Sequence, residues 1–180
     1  VLFRSIGFAD VLERLNPDIV VLLGDRFEIL AAEIAAMTAR IPIGHIHGGE
    51  LTEGLIDEAI RHSITKMSHL HFVSADQHRQ RVIQLGEDAS RVFNFGAPGL
   101  DSVNRLALLS RAELEQTLPF KFGPTNFLVT YHPVTLSSNN PALSIAALLA
   151  ALDDYPDAHI CFTQANADTN GRIVNSHIDN

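Results

Sequence analysis

Short runs of β-branched and aliphatic residues recur along the chain, separated by stretches whose apolar positions fall three and four apart. The runs DIVVLLG (18–24), IPIGHI (41–46), HLHFVS (69–74), RVFNFG (91–96), NFLVTYH (126–132) and AHICFTQ (158–164) predict strands. Helices are predicted near 5–15, 26–39, 55–67, 76–85, 99–108, 111–117, 141–153 and 170–180. Within 55–67, Ile56, Ile60, Ile64 and Met67 repeat at helical spacing and predict the buried stripe. The first three strand runs are apolar almost throughout, which predicts strands covered on both faces. Strands alternating with helices of this length imply right-handed βαβ crossovers, a parallel sheet and a doubly wound α/β fold. The regular returns pause between about 105 and 125, where Pro119, Gly123 and Pro124 punctuate the chain, so a boundary is read between a domain at 1–108 and one at 109–180.

Composition narrows the function classes. With 180 residues the chain makes one ordinary domain or parts of two, and 46% hydrophobic residues supply a core. The formal charge of −8 argues against nucleic-acid and membrane-surface partners, both of which need basic patches. An anionic small ligand stays open, because helix N-termini hold phosphate locally. The lone cysteine, Cys161, sits in an apolar run, reads as buried packing, and fits a reducing, cytoplasmic setting. No apolar run reaches the roughly 18 residues of a membrane span, and no signal peptide is visible. The sequence starts at Val1 and stops at Asn180 on what reads as an unfinished helix, so a fragment is expected.

In an open parallel sheet, ligands sit beyond the carboxyl ends of the strands. The polar residues collect there: GDR (24–26), HIHGGE (45–50), FGAPG (95–99), YHPVT (131–135) and TQANAD (163–168). Asp25 either caps the following helix or, with Arg26, presents a carboxylate for proton work and a guanidinium for phosphate. His45 and His47 are two apart, so on an extended strand they share a face; they suit metal binding or proton transfer, and the surrounding spacing does not demand a metal. Gly48 and Gly49 let the backbone turn or pass close to a ligand. Asp57 and Arg61 stand four apart, as do Glu58 and His62; they read as exposed helix pairs or, for Asp57 beside the Gly-rich loop, as site chemistry. His69 and His71 read as structural. His78, His159 and His177 lack polar company in the sequence. His132, at a strand exit before Pro133, is placed for a phosphate, and Asn166 and Asp168 for a base, a ribose or a loop turn. There is no P-loop, no strand–GxGxxG–helix and no G-x-S-x-G elbow, which disfavours nucleotide hydrolysis, dinucleotide redox and acyl transfer.

Together LLGDRFEILAAEIAA, IPIGHIHGGELTEGLIDEAIRHSITKMSHLHFVSA, FGAPGLD and YHPVT resemble the UDP-N-acetylglucosamine 2-epimerase family, most closely its hydrolysing branch. The resemblance implies two Rossmann-like domains in a GT-B arrangement. This chain would hold the C-terminal part of the first (1–108) and the N-terminal part of the second (109–180), and alone would be inactive. It implies removal of the C2 proton of a UDP-sugar with anti expulsion of UDP, a glycal intermediate, and addition of water with C2 inverted. No metal or other cofactor is implied. By position, Asp25 and Asp57 match carboxylates assigned to proton transfer, Arg26 a diphosphate contact, His132 a histidine near the phosphates, and Asn166 a nucleotide contact. Many relatives read HIEGGE where this chain reads HIHGGE. Either His47 shuttles the proton in place of that Glu or Glu50 takes over part of the role. The resemblance also implies a homodimer for the whole protein. The alternatives are a non-hydrolysing 2-epimerase, a non-catalytic nucleotide-sugar module, and a metal-dependent His-x-His hydrolase, which would need more strands than are counted.

Overall fold

A computed structural model describes residues 1–136, 139–166, 168 and 170–179. The chain divides into two compact units, Val1–Leu106 and Ala107–Asn180. The first runs α1 (Leu2–Leu15), β1 (Val20–Leu23), α2 (Phe27–Thr38), β2 (Ile43–Ile46), α3 (Asp57–Met67), β3 (Leu70–Val73), α4 (Asp76–Gln84), a 3₁₀ turn (Ala89–Arg91), β4 (Val92–Asn94) and α5 (Pro98–Arg105). The second runs α6 (Arg111–Thr117), β5 (Asn126–Thr130), α7 (Pro141–Leu152), β6 (His159–Thr163) and α8 (Gly171–Ile178). Asn180, the end of the helix expected over 170–180, and Ala167 of TQANAD lie outside the described residues.

Both sheets are parallel, as expected: β1-β2-β3-β4 in the first unit and β5-β6 in the second. The first sheet is held in register through Leu22↔His45, His45↔His71 and His71↔Val92. That row lies on the side where α2 packs. Ala31, Ala32, Ala35 and Ala36 of α2 are buried, and their small side chains let the helix lie close over Leu22 and Ile43. Further along, Val82 of α4 closes over Val73 and Val92. The second unit has its own core of Ile145, Ala165 and Val174.

The expectation of strands covered on both faces is not met. Strands that follow one another in order, joined by crossovers of one hand, put those helices on one side; a second layer needs a reversal of strand order, and the described strands have none. The opposite face carries Val21 and Leu23, each 55% exposed. On the same face Phe72, Phe93 and Phe95 stack at 5.8 and 5.9 Å between successive ring centroids, and Phe95 is 78% exposed. The predicted stripe of α3 is also revised. Ile60 and Ile64 are buried, but Arg61 and Thr65 complete that face and Ile56 is exposed. Cys161, expected in packing, is a half-buried free thiol.

Candidate active site at the strand exits

Where β1 ends, Gly24 takes φ 92° and turns the chain into Asp25. Asp25 does not cap α2: Arg26 occupies the cap position, and no side chain closes it. The Asp25 carboxylate instead accepts from Arg61 of α3, from Nε at 2.8 Å and from Nη2. Arg61 is only 3% exposed. It also donates to Glu58 Oε2 at 2.9 Å, to the Glu50 carbonyl at 2.8 Å and to Thr52 Oγ1 at 2.8 Å. One guanidinium therefore ties the β1 exit, the loop after β2 and the first turn of α3 together. Its fixed fork of donors suits that task where a lysine would not. Glu58 is more than an exposed helix partner. It accepts from the Thr52 N–H at 2.8 Å and pairs with His62 at 3.1 Å. Burial pushes its pKa up, but these bonds and the Arg61 charge outweigh it and hold the carboxyl below its ordinary value.

The two histidines of HIH do not share a ligand face, because β2 stops at Ile46 and His47 takes a left-handed φ of 70°. His45 is fully buried. Its Nε2 lies 2.8 Å from the Gly24 carbonyl and its Nδ1 3.2 Å from Thr65 Oγ1. A carbonyl only accepts, so Nε2 carries the hydrogen and Nδ1 accepts from Thr65. Burial, against the Gly24 bond, pushes the His45 pKa down to about 4 and keeps the ring neutral. Gly48 packs over this arrangement: a Cβ there would sit 3.1 Å from both His45 Nδ1 and Thr65 Oγ1.

His47 turns away from His45 and lies with Nδ1 2.6 Å from Glu50 Oε1. Glu50 also accepts from Ser74 Oγ at 2.7 Å, and Ser74 contacts His78 Nδ1 at 2.9 Å. Partial burial raises the Glu50 pKa, yet the His47 and Ser74 bonds bring it below the ordinary value, so it is a carboxylate. Asp25 and His47 thus belong to one network, joined through Arg61 and Glu50. Asp57 is the first residue of α3 and half-buried. Arg26 reaches Glu28 at 3.4 Å and lies over the Phe27 ring. In the second unit, exposed His132 follows β5 and its Nδ1 accepts from the Asn166 N–H at 3.3 Å. Among the described residues no three His, Cys, Asp or Glu side chains group as metal ligands.

Arg61, Ser74, His78 and Thr52 belong to the network although the sequence does not single them out. Arg61 was weighed only as a helix partner of Asp57. His78 was set aside as lacking polar company, yet it meets Ser74. Ser74 itself sits at the exit of β3, the one exit not searched in the first sheet, and the strand-end rule would have found it.

Comparison with known proteins follows this geometry. A family model described as UDP-N-acetylglucosamine 2-epimerase matches residues 5–180. A Campylobacter jejuni GDP/UDP-N,N'-diacetylbacillosamine 2-epimerase (hydrolyzing) is 45% identical over 174 residues, covering 97% of this chain and 45% of the relative. A Legionella pneumophila UDP-N,N'-diacetylbacillosamine 2-epimerase (hydrolyzing) is 38% identical over 169 residues, covering 94% and 44%. An Escherichia coli polysialic acid biosynthesis protein P7 is 42% identical over 172 residues, covering 93% and 43%. The chain therefore spans less than half the length of these relatives. The fold is that of a solved Neisseria meningitidis UDP-GlcNAc 2-epimerase bound to UDP-GlcNAc, with 22% identity, 98% of this chain and 50% of that one covered, and a TM-score of 0.77.

Proposed function

Because the chain belongs to the UDP-N-acetylglucosamine 2-epimerase family, we propose that it supplies the proton-transfer rim of a hydrolysing nucleotide-sugar 2-epimerase. The substrate is UDP-GlcNAc or a UDP- or GDP-linked diacetamido sugar. In the first half-reaction a base removes the C2 proton, the C1–O bond breaks, and its electron pair leaves on the nucleoside diphosphate. Water then adds across the resulting glycal, oxygen to C1 and hydrogen to the opposite face of C2, giving the free 2-epimeric sugar. Asp25, His47 and Asp57 carry proton transfer. Arg26, Glu50, His132 and Asn166 bind substrate, with the Arg26 guanidinium opposing the leaving diphosphate. The observation that carries the reading is the His47–Glu50 contact of 2.6 Å at the exit of β2. The carboxylate accepts from Nδ1–H and leaves Nε2 as the ring nitrogen that exchanges a proton, which lets a histidine serve where HIEGGE sequences have Glu. The names of the two bacillosamine relatives, both hydrolysing, support the same outcome and a second acetamido group on the sugar.

The reading assigns 1–108 to the first Rossmann-like domain and 109–180 to the second, in a whole protein that is homodimeric and cytoplasmic. None of the described helices is long and apolar enough to cross a membrane. The test is mass spectrometry of products after the full-length protein is given UDP-GlcNAc and UDP- and GDP-diacetamido sugars, without added metal or NAD. Free nucleoside diphosphate and a C2-inverted sugar, with deuterium from heavy water at C2, are expected. An intact 2-epimeric nucleotide sugar would mean the non-hydrolysing reaction, and binding without turnover a non-catalytic module. Asp57→Asn should cut turnover far more than binding.

A further inference from the structure

Behind Glu50, four side chains form a continuous run of hydrogen bonds. Glu50 is ionised and donates nothing. Ser74 has one hydroxyl hydrogen, and it goes to Glu50 Oε1 at 2.7 Å. The 2.9 Å contact between Ser74 Oγ and His78 must then be donated by His78 Nδ1–H. On the far side of the ring Gln77 Nε2 lies 3.3 Å from His78 Nε2. The donations run in one direction, His78 to Ser74 to Glu50, and His47 Nδ1–H meets the same carboxylate oxygen from the other side at 2.6 Å. Aligned hydrogen bonds polarise and strengthen one another.

The backbone keeps this chain short. Arg81 of α4 donates to the Gly49 carbonyl. Gly49 lies so near the His78 backbone that a Cβ would run into the His78 carbonyl, and it would lie 2.8 Å from Val82 Cγ2. The groups that face Glu50 are therefore His47 from its own loop, Arg61 of α3 on its carbonyl, Ser74 from the β3 exit, and His78 of α4, whose Nδ1 lies 4.0 Å from Oε1.

We infer that Ser74 and His78 are positioning residues for His47. By loading one Glu50 oxygen from behind they stop the carboxylate rotating away, and so keep the His47 ring anchored at Nδ1 with Nε2 presented for proton transfer. Neither touches the reacting atoms. The inference rests on the proposed role of His47 in a hydrolysing 2-epimerase.

The test is steady-state kinetics of nucleoside diphosphate release by the full-length enzyme, on UDP-GlcNAc and a UDP-diacetamido sugar, with three single variants and one double. Ser74→Ala should lower kcat about tenfold, the worth of one hydrogen bond to a charged acceptor, and His78→Leu, which removes a bond to the neutral Ser74 hydroxyl, about fivefold, with KM changed by less than about twofold in each. Because the links are in series, the double variant should be no worse than Ser74→Ala alone. His78→Asn places an amide N–H where Nδ1 stood and should restore most of kcat. Unchanged kcat in His78→Leu, additive losses in the double variant, or an Asn variant as poor as Leu would each overturn the inference. A wild-type enzyme that releases no nucleoside diphosphate overturns the functional reading instead, so the two failures are separable.

Discussion

Replacing Glu33 with glutamine should flatten part of the pH dependence of stability. Glu33 lies in α2, fully buried, with Oε1 3.3 Å from Ser68 Oγ and Oε2 lacking a hydrogen-bond partner. Burial, opposed only by the Ser68 bond, raises its pKa from 4.5 to about 7. A displacement of that size corresponds to about 3 kcal/mol in favour of the neutral form. The unfolded chain releases this proton near 4.5 while the folded chain keeps it to about 7. The native state therefore binds more protons in that window, and stability falls as pH rises through it. Above about 7 the loss is complete, because the folded state then holds a buried carboxylate. Glutamine keeps an acceptor for Ser68 and never ionises. Glu33→Gln should thus gain up to about 3 kcal/mol over wild type between pH 4.5 and 8, and little at lower pH. Buried His45 and His71, both held neutral, pull the other way as pH falls. The informative quantity is accordingly the difference between the two proteins. Urea denaturation at several pH values gives it, followed by far-UV circular dichroism. Aromatic emission would not serve, since the chain has no tryptophan and both tyrosines, Tyr131 and Tyr155, belong to the second unit. A difference that stays constant with pH, or a Glu33 carboxyl that titrates near 4.5 by NMR, would refute the reasoning.

Arg61→Met should destabilise the first unit by about 2–4 kcal/mol, below the full penalty for a buried pair because the carboxylates it leaves behind are partly wet. In a denaturation cycle with Asp25→Asn the two losses should fall short of additivity by at least about 1 kcal/mol; strict additivity would show that the ion pair carries no coupling. Gly49→Ala should destabilise the first unit by about 2 kcal/mol or more and so lower its thermal midpoint clearly, since Gly49 has φ 79° and its missing Cβ faces the His78 carbonyl. An unchanged midpoint would mean the loop yields there without cost.

The strands and helices were legible because burial writes a period into the sequence. The six strand runs and eight helical stretches all appear, each strand shorter than its expected run by two or three residues. The candidate rim was legible for the same reason, since strand exits are where polar residues interrupt apolar runs. What was not legible depended on distance or on backbone sign. Arg61 and Asp25 are 36 residues apart, and an ion pair across that separation leaves no local pattern. The shared face of His45 and His47 failed because it took His47 as extended backbone, although the predicted strand run ends at Ile46, and nothing in HIH announces that His47 adopts a positive φ. Double-sided cover failed because apolar residues on both sides of a strand report an affinity for cover, not which segment provides it.

The uncovered phenylalanine and valine side of the first sheet bears on how the protein is handled. An oily plane bordered by β1, an edge strand among the described residues, favours sticking to surfaces and to other molecules. The Asp25, His47 and Glu50 rim sits at the strand ends, off that plane. Detergent or a surface-polar change at Val21, Leu23 or Phe95 therefore acts on solubility while leaving the acid–base groups where they are.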